Sequence, residues 1–130
     1  MHGTIRFRHD VANDIHFAYP KWYVETEEDC RVWAAQYEKY FSQFARKVDA
    51  IMVLDEFRIG PGIGSIWGKY RAECVARYTR YSVRINADAR VSTFNATSAV
   101  LYRIGSREAP DVESAIALIR ELRRTDAPDT

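Results

Sequence analysis

The chain has 130 residues, 47% of them hydrophobic and 13% aromatic, enough to build one domain around a single buried core. Its formal charge of +1 excludes the broad electrostatic attraction that marks general nucleic-acid binders. No apolar run approaches the length of a membrane span, and no signal-like leader opens the chain, so neither partner is expected.

The predicted elements begin with two alternating segments, Ile5-Arg6-Phe7-Arg8-His9 and Ile15-His16-Phe17-Ala18-Tyr19, separated by Ala12-Asn13-Asp14. Period-two alternation around turn residues predicts a β-hairpin, with Pro20 ending or bulging its second strand. Thr26 and Asp29 resemble a capping box, with Glu27, Glu28 and Asp29 in the first turn complementing the helix dipole. From there Cys30, Trp33, Ala34, Tyr37, Phe41, Phe44 and Val48 recur at helical spacing, an aromatic stripe expected to face the core. Ala50 to Leu54 reads as a central strand covered on both faces, as in parallel sheets.

After a glycine-rich corner, Ile63, Ile66, Trp67, Tyr70, Cys74 and Tyr78 predict a second helix, with Lys69, Arg71, Arg77 and Arg80 off its stripe. Tyr81, Val83 and Ile85 alternate with polar residues as a further strand. Asn86 or Asp88 is placed to cap a third helix carrying Val91, Phe94, Ser98 and Leu101, with a strand between Ala99 and Ile104 left open. Pro110 fits the first turn of a last helix whose apolar face is Val112, Ala115, Ile116, Ile119 and Leu122. The expected order is β-β-α-β-α-β-α-α: one α/β domain over residues 1–124, its sheet mostly parallel with an N-terminal edge hairpin, then a polar tail at 125–130. The arginine groups Arg77/Arg80/Arg84 and Arg120/Arg123/Arg124 are expected on solvated faces. Cys30 and Cys74 sit on apolar stripes far apart and are expected as buried free thiols, which implies a reducing, cytoplasmic setting.

Chemistry is expected to gather at the corner from Val53 to Tyr70, because ligands in open α/β sheets collect beyond the carboxyl ends of strands. Gly60-Pro61-Gly62-Ile63-Gly64 is neither a Walker loop nor a G-x-G-x-x-G fingerprint, so no nucleotide cofactor is expected. Asp55 and Glu56, adjacent on a strand end, would point to opposite faces and not form a paired-carboxylate site; Asp55 is expected to brace the loop. His9 and His16 face each other across the hairpin without a nearby third ligand and are expected to face solvent, so no metal is expected. No Ser/His/Asp or Cys/His spacing suggests a nucleophile, and the chain is expected not to be an enzyme.

The order of elements, together with Gly62-Ile63-Gly64-Ser65-Ile66-Trp67-Gly68-Lys69-Tyr70-Arg71, resembles the STAS domain of anti-sigma factor antagonists. That family carries Asp-Ser-Ser-Gly-Leu-Gly at this corner; Gly62, Ile63 and Gly64 stand where its Gly-Leu-Gly would be, and Val53-Leu54-Asp55 where its strand and terminal Asp would be. SEC14-like and sporulation-protein-like folds share the topology. The resemblance implies a fold of this class and a partner such as an anti-sigma factor or kinase-type regulator. It departs at one decisive place: the family's phosphorylated serine is replaced by Pro61, which has no hydroxyl. The loop between Asp55 and Gly62 is also shorter than the family's spacing. Ser65 is the nearest substitute, in the first helical turn where a phosphate is favoured.

The leading expectation is a non-enzymatic interaction module that binds a protein partner, or a second copy, through Asp55, Arg58, Gly60, Pro61, Gly62, Gly64 and Ser65. The alternative is a small-ligand or lipid-binding domain in which Phe17, Tyr19, Trp22, Trp33, Tyr37, Phe41 and Phe44 line a cavity.

Overall fold

A computed structural model describes residues 3–102 and 107–125, except for the side chains of Phe94, Asn95 and 98–102. The elements run β1 (Thr4–Asp10), β2 (Ile15–Val24), α1 (Glu27–Phe41), β3 (Val48–Val53), β4 (Phe57–Ile59), α2 (Gly64–Tyr78), β5 (Thr79–Ile85), α3 (Ala89–Tyr102), β6 (Arg107–Ala109) and α4 (Val112–Thr125). They form one six-stranded sheet ordered β1-β2-β3-β5-β6, with β4 paired to β2. Only the β1–β2 hairpin is antiparallel. The α/β class, the mostly parallel sheet and the edge hairpin are therefore as the sequence predicts. Among the described residues no helix is long and apolar enough to cross a membrane.

The sheet is covered on both faces. One core joins Ala18, Ala50 and Met52 to Trp33, Tyr37 and Phe41 of α1 and to Trp67 and Cys74 of α2. The other joins Phe17, Ile51, Val83 and Ile85 to Ala115 and Ile119 of α4. Successive residues of β2 and β3 thus enter opposite cores, which is the period-two geometry of a strand.

Strand β2 continues past Pro20 to Val24, beyond the expected break. Its partnership with β3 ends at Ala18 and that with β4 starts at Trp22. Pro20 falls in the gap, where a missing N–H interrupts neither parallel ladder. Thr26 caps α1 through a reciprocal box with Asp29, as predicted. The helix ends at Phe41 rather than running toward Val48, because Ser42–Lys47 must carry the chain back to the start of β3. Asp88 caps α3, accepting from the Val91 N–H at 2.9 Å; Asp111 caps α4, accepting from Ser114 at 2.7 Å, so Pro110 lies before the helix rather than in its first turn. Val91 is buried; the side chains of Phe94, Ser98 and Leu101 lie outside the described set. Residues 99–102 continue α3, whereas 103 and 104 and the tail from 126 lie outside the described residues.

Two of the arginines expected off the core are buried and a third is partly buried. Arg71 of α2 and Arg84 of β5 are 3% and 2% exposed. Arg123 reaches back from α4 to Asp49 at 2.7 Å and to the carbonyls of Asn13 and Asp14, both at 2.7 Å. Alternation at β5 does not mean a wet face here, because helices cover both sides. Cys30 and Cys74 are buried free thiols; burial pushes the first up to about 11 and the second up to about 12, so both stay protonated and inert.

Candidate functional site

The corner between β3 and α2 is not a single loop. After Val53 the chain turns tightly, Phe57 N–H donating to the Leu54 carbonyl at 3.2 Å, and then re-enters the sheet as β4 beside the second half of β2. Phe57 and Ile59 point inward and Arg58 outward, an alternation present in the sequence but too short to distinguish from a loop. Pro61 and Gly62 then form the turn that leads into α2, and Gly62 has φ +87°. Proline followed by a positive-φ glycine is type II turn chemistry. A Cβ at Gly62 would meet nothing within 4 Å, so Gly62→Ala isolates the backbone cost. It is expected to lower stability by about 1–2 kcal/mol, read as a reduced urea midpoint with an unchanged slope.

Of the residues predicted to meet a partner, Asp55, Arg58, Pro61, Gly62 and Ser65 are exposed, while Gly60 and Gly64 are buried. The two buried glycines support the surface from beneath and do not form it. At Gly60 a Cβ would lie 3.2 Å from the Tyr23 ring and 3.3 Å from the Val24 carbonyl, and the Gly60 N–H already donates to that carbonyl at 2.7 Å. Tyr23 and Ile66, 54% and 37% exposed, add apolar surface to the corner. Ile66, expected on the buried stripe of α2, therefore faces outward.

The corner is braced from α3. Arg58 Nε lies 3.2 Å from an Asp88 carboxylate oxygen, Arg90 donates to the Ile59 carbonyl at 3.1 Å, and Asn86 donates to Asp55 Oδ1 at 3.0 Å. Asn86 sits at φ 60°, a conformation asparagine tolerates better than most residues. Asp55 thus braces the turn as expected, but from within the turn and not from a strand end. Next to it Ser65, Ile66, Lys69, Tyr70 and Glu73 of α2 and Glu27 of α1 line an open groove of about 500 Å³. The N-cap residue of α2, Ile63, offers no side-chain acceptor, and its first turn holds no acidic residue. Ser65 therefore stands beside N–H groups left without a side-chain cap.

At the opposite end of the hairpin, His9 and His16 pair across the strands as predicted and stack with ring centroids 3.9 Å apart. His16 is not solvent-facing: it is 1% exposed, and its Nδ1 lies 2.7 Å from the Tyr40 hydroxyl. Asp14 Oδ1 is 3.0 Å from His9 Nε2, so a third potential ligand is present after all, with donor atoms of the three within 4.8 Å. The arrangement does not favour a cation. The imidazole planes lie within 9° of parallel, whereas a tetrahedral ion needs converging lone pairs. Arg46, Lys47, Arg80 and Arg123 also border this pocket.

Sequence reasoning missed Asp49, Arg71 and Arg84. The signal was there in Val48-Asp49-Ala50 and Val83-Arg84-Ile85: a charge within a strand covered on both faces must be buried with partners. No known protein-family model matches the chain, and no curated protein matches it.

Proposed function

We propose that the chain is a non-enzymatic regulatory or interaction module of STAS-like fold that docks a protein partner on the exposed surface formed by Tyr23, Asp55, Arg58, Pro61, Gly62, Ser65 and Ile66. The observation that supports this reading most is the bracing of that corner. Contacts from β2 and α3 hold an exposed turn with apolar side chains in one geometry, and a preorganised surface loses less entropy on binding. The resemblance to anti-sigma factor antagonists makes an anti-sigma factor or a kinase-type regulator the expected partner, with a second copy of the chain the other occupant. Pro61 removes the family's switching hydroxyl, and Ser65 is the hydroxyl positioned for modification in its place.

A lipid or apolar-ligand role fits the geometry less well. The aromatic residues of α1 pack on one another, with Trp33–Tyr37 and Tyr37–Phe41 ring centroids 5.3 and 4.5 Å apart. The space beneath them is about 20 Å³, against the several hundred that a drug-sized ligand needs, ~300–1,000 Å³.

Capture from the native cell extract on the wild-type chain and on an Ile66→Arg/Tyr23→Ala variant tests the proposal. The variant should fold, as judged by circular dichroism, and lose at least one protein that the wild type retains. Identical captures from two folded baits would contradict it.

A further inference from the structure

The open pocket at the hairpin end has a volume of about 360 Å³, within the range of sites that take small organic ligands, ~300–1,000 Å³. Its walls come from the hairpin, from the segment Ser42–Lys47 that follows α1, from the starts of β3 and β5, and from α4. Phe44 fastens that segment. Its ring is half-buried, with its centroid 4.5 Å from that of His16 and 5.5 Å from that of Tyr40. Arg46 and Lys47 follow directly and border the pocket, so a short, anchored stretch of chain presents both cations to it.

The wall is cationic on balance. Arg46, Lys47, Arg80 and Arg123 stand against two carboxylates, Asp14 and Asp49. Both carboxylates are engaged by the fold. Asp49 is 3% exposed and accepts from Arg80, Arg123 and the Tyr81 N–H; Asp14 lies 3.0 Å from His9 Nε2. Arg80 and Arg123 are committed to Asp49 and contribute charge rather than reach. Arg46 and Lys47 differ. The Arg46 side chain is 82% exposed and meets Asp14 at a loose 3.4 Å. Lys47 is exposed and has no ion-pair partner among the described residues. A phosphate monoester carries about −1.5 to −2 charges at pH 7, which matches the two cations in excess. Arginine meets such a group with paired N–H donors and lysine with a point charge.

We propose that this pocket binds a phosphoryl group, as free phosphate or on a small ester, held by Arg46 and Lys47 beside His9. The apolar part of the wall, Phe44, Ala45 and Val48, is where the organic portion of an ester would rest. The site lies at the opposite end of β2 from the docking corner, so either can fail without the other.

Calorimetric titration of the full chain with phenyl phosphate and with inorganic phosphate, at low ionic strength and neutral pH, tests the site. Phenyl phosphate should saturate one site per chain with a dissociation constant below about 1 mM. Weaker binding of inorganic phosphate would identify an ester as the ligand, and equal binding would identify the phosphoryl group alone; both support the site. Arg46→Met and Lys47→Met change exposed side chains, should fold as judged by circular dichroism, and should each weaken binding about tenfold. Lys39→Met removes the same charge from α1, outside the pocket, and should bind as the wild type does. Absence of saturable binding to the folded wild type, or an equal loss in Lys39→Met, overturns the proposal.

Discussion

Asp49→Ala is expected to destabilise the domain by about 3–5 kcal/mol, the cost of removing one partner from a buried charge network. Asp49 is 3% exposed and accepts from Arg80 at 2.9 and 3.2 Å, from Arg123 at 2.7 Å and from the Tyr81 backbone N–H at 3.2 Å. Arg123 extends the network to the hairpin turn through the Asn13 and Asp14 carbonyls. One carboxylate therefore joins β3, β5, α4 and the β1–β2 turn. Its loss takes the carboxylate from a partly buried Arg123 guanidinium and removes the acceptor that Asp49 gives the Tyr81 N–H. A domain with total stability of about 5–15 kcal/mol would lose a large part of it. Arg80→Ala should cost about 1 kcal/mol or less, because that side chain is half exposed and water replaces its contacts. Urea denaturation of the two variants separates them; equal, small losses would show that the network contributes little.

Acid should destabilise the fold between about pH 6.5 and pH 4, by about 3 kcal/mol in total, through His16 alone. Burial, helped by the positive charge His9 can carry, holds His16 down to about 4, against the opposing pull of Asp14 and Asp49. The sign follows from proton counts. In that window the unfolded chain binds a proton on this imidazole that the folded chain refuses, so stability falls as pH falls. Above the window both states are neutral and the contribution is flat. Asp14, whose carboxyl a hydrogen bond from His9 holds below its ordinary value, is shifted in the same direction and also loses stability in acid, but lower on the pH scale. Its stabilisation is complete above the unfolded carboxylate pKa of about 3.8 and is lost only at lower pH, so the two effects occupy separate windows. His16→Phe keeps a ring against Phe44 and should flatten the profile between pH 6.5 and 4, whatever it does to absolute stability. A wild-type urea midpoint constant across that range would refute the assignment.

How far the sequence could be read depended on whether a pattern was local. The hairpin turn, the Thr26 capping box and the aromatic stripe of α1 are settled by neighbours in sequence, and all are visible there. Strands β4 and β6 are three residues each, too short for periodicity to separate from loop, and their existence depends on what β2 and β5 offer as edges. The buried charges were the larger miss. Period-two alternation at β5 says that Ser82 and Arg84 share a face, but not that α1 and α2 cover it. Ile66 shows the converse: helical spacing places it near the stripe of Trp67 and Tyr70, yet its side chain is turned outward beside Ser65. At the corner, the glycines and Pro61 announced a turn, while the bracing by Asn86, Asp88 and Arg90 comes from a segment some thirty residues away in the chain and needed the fold to be seen.

The switch position of the resembled family is Pro61 here, so the docking role we propose for the corner rests on its surface and not on that serine's chemistry. Ser65, exposed in the first turn of α2, gives that surface an aliphatic hydroxyl. Whether partners use this surface is the central claim, and hydrogen exchange of the chain with and without a captured partner tests it most directly. Binding should slow exchange from Tyr23 through the segment Asp55–Lys69 and leave the hairpin end around His9 and the outer face of α4 unchanged. Protection confined to those distant surfaces, with the corner exchanging as in the free chain, would contradict the account.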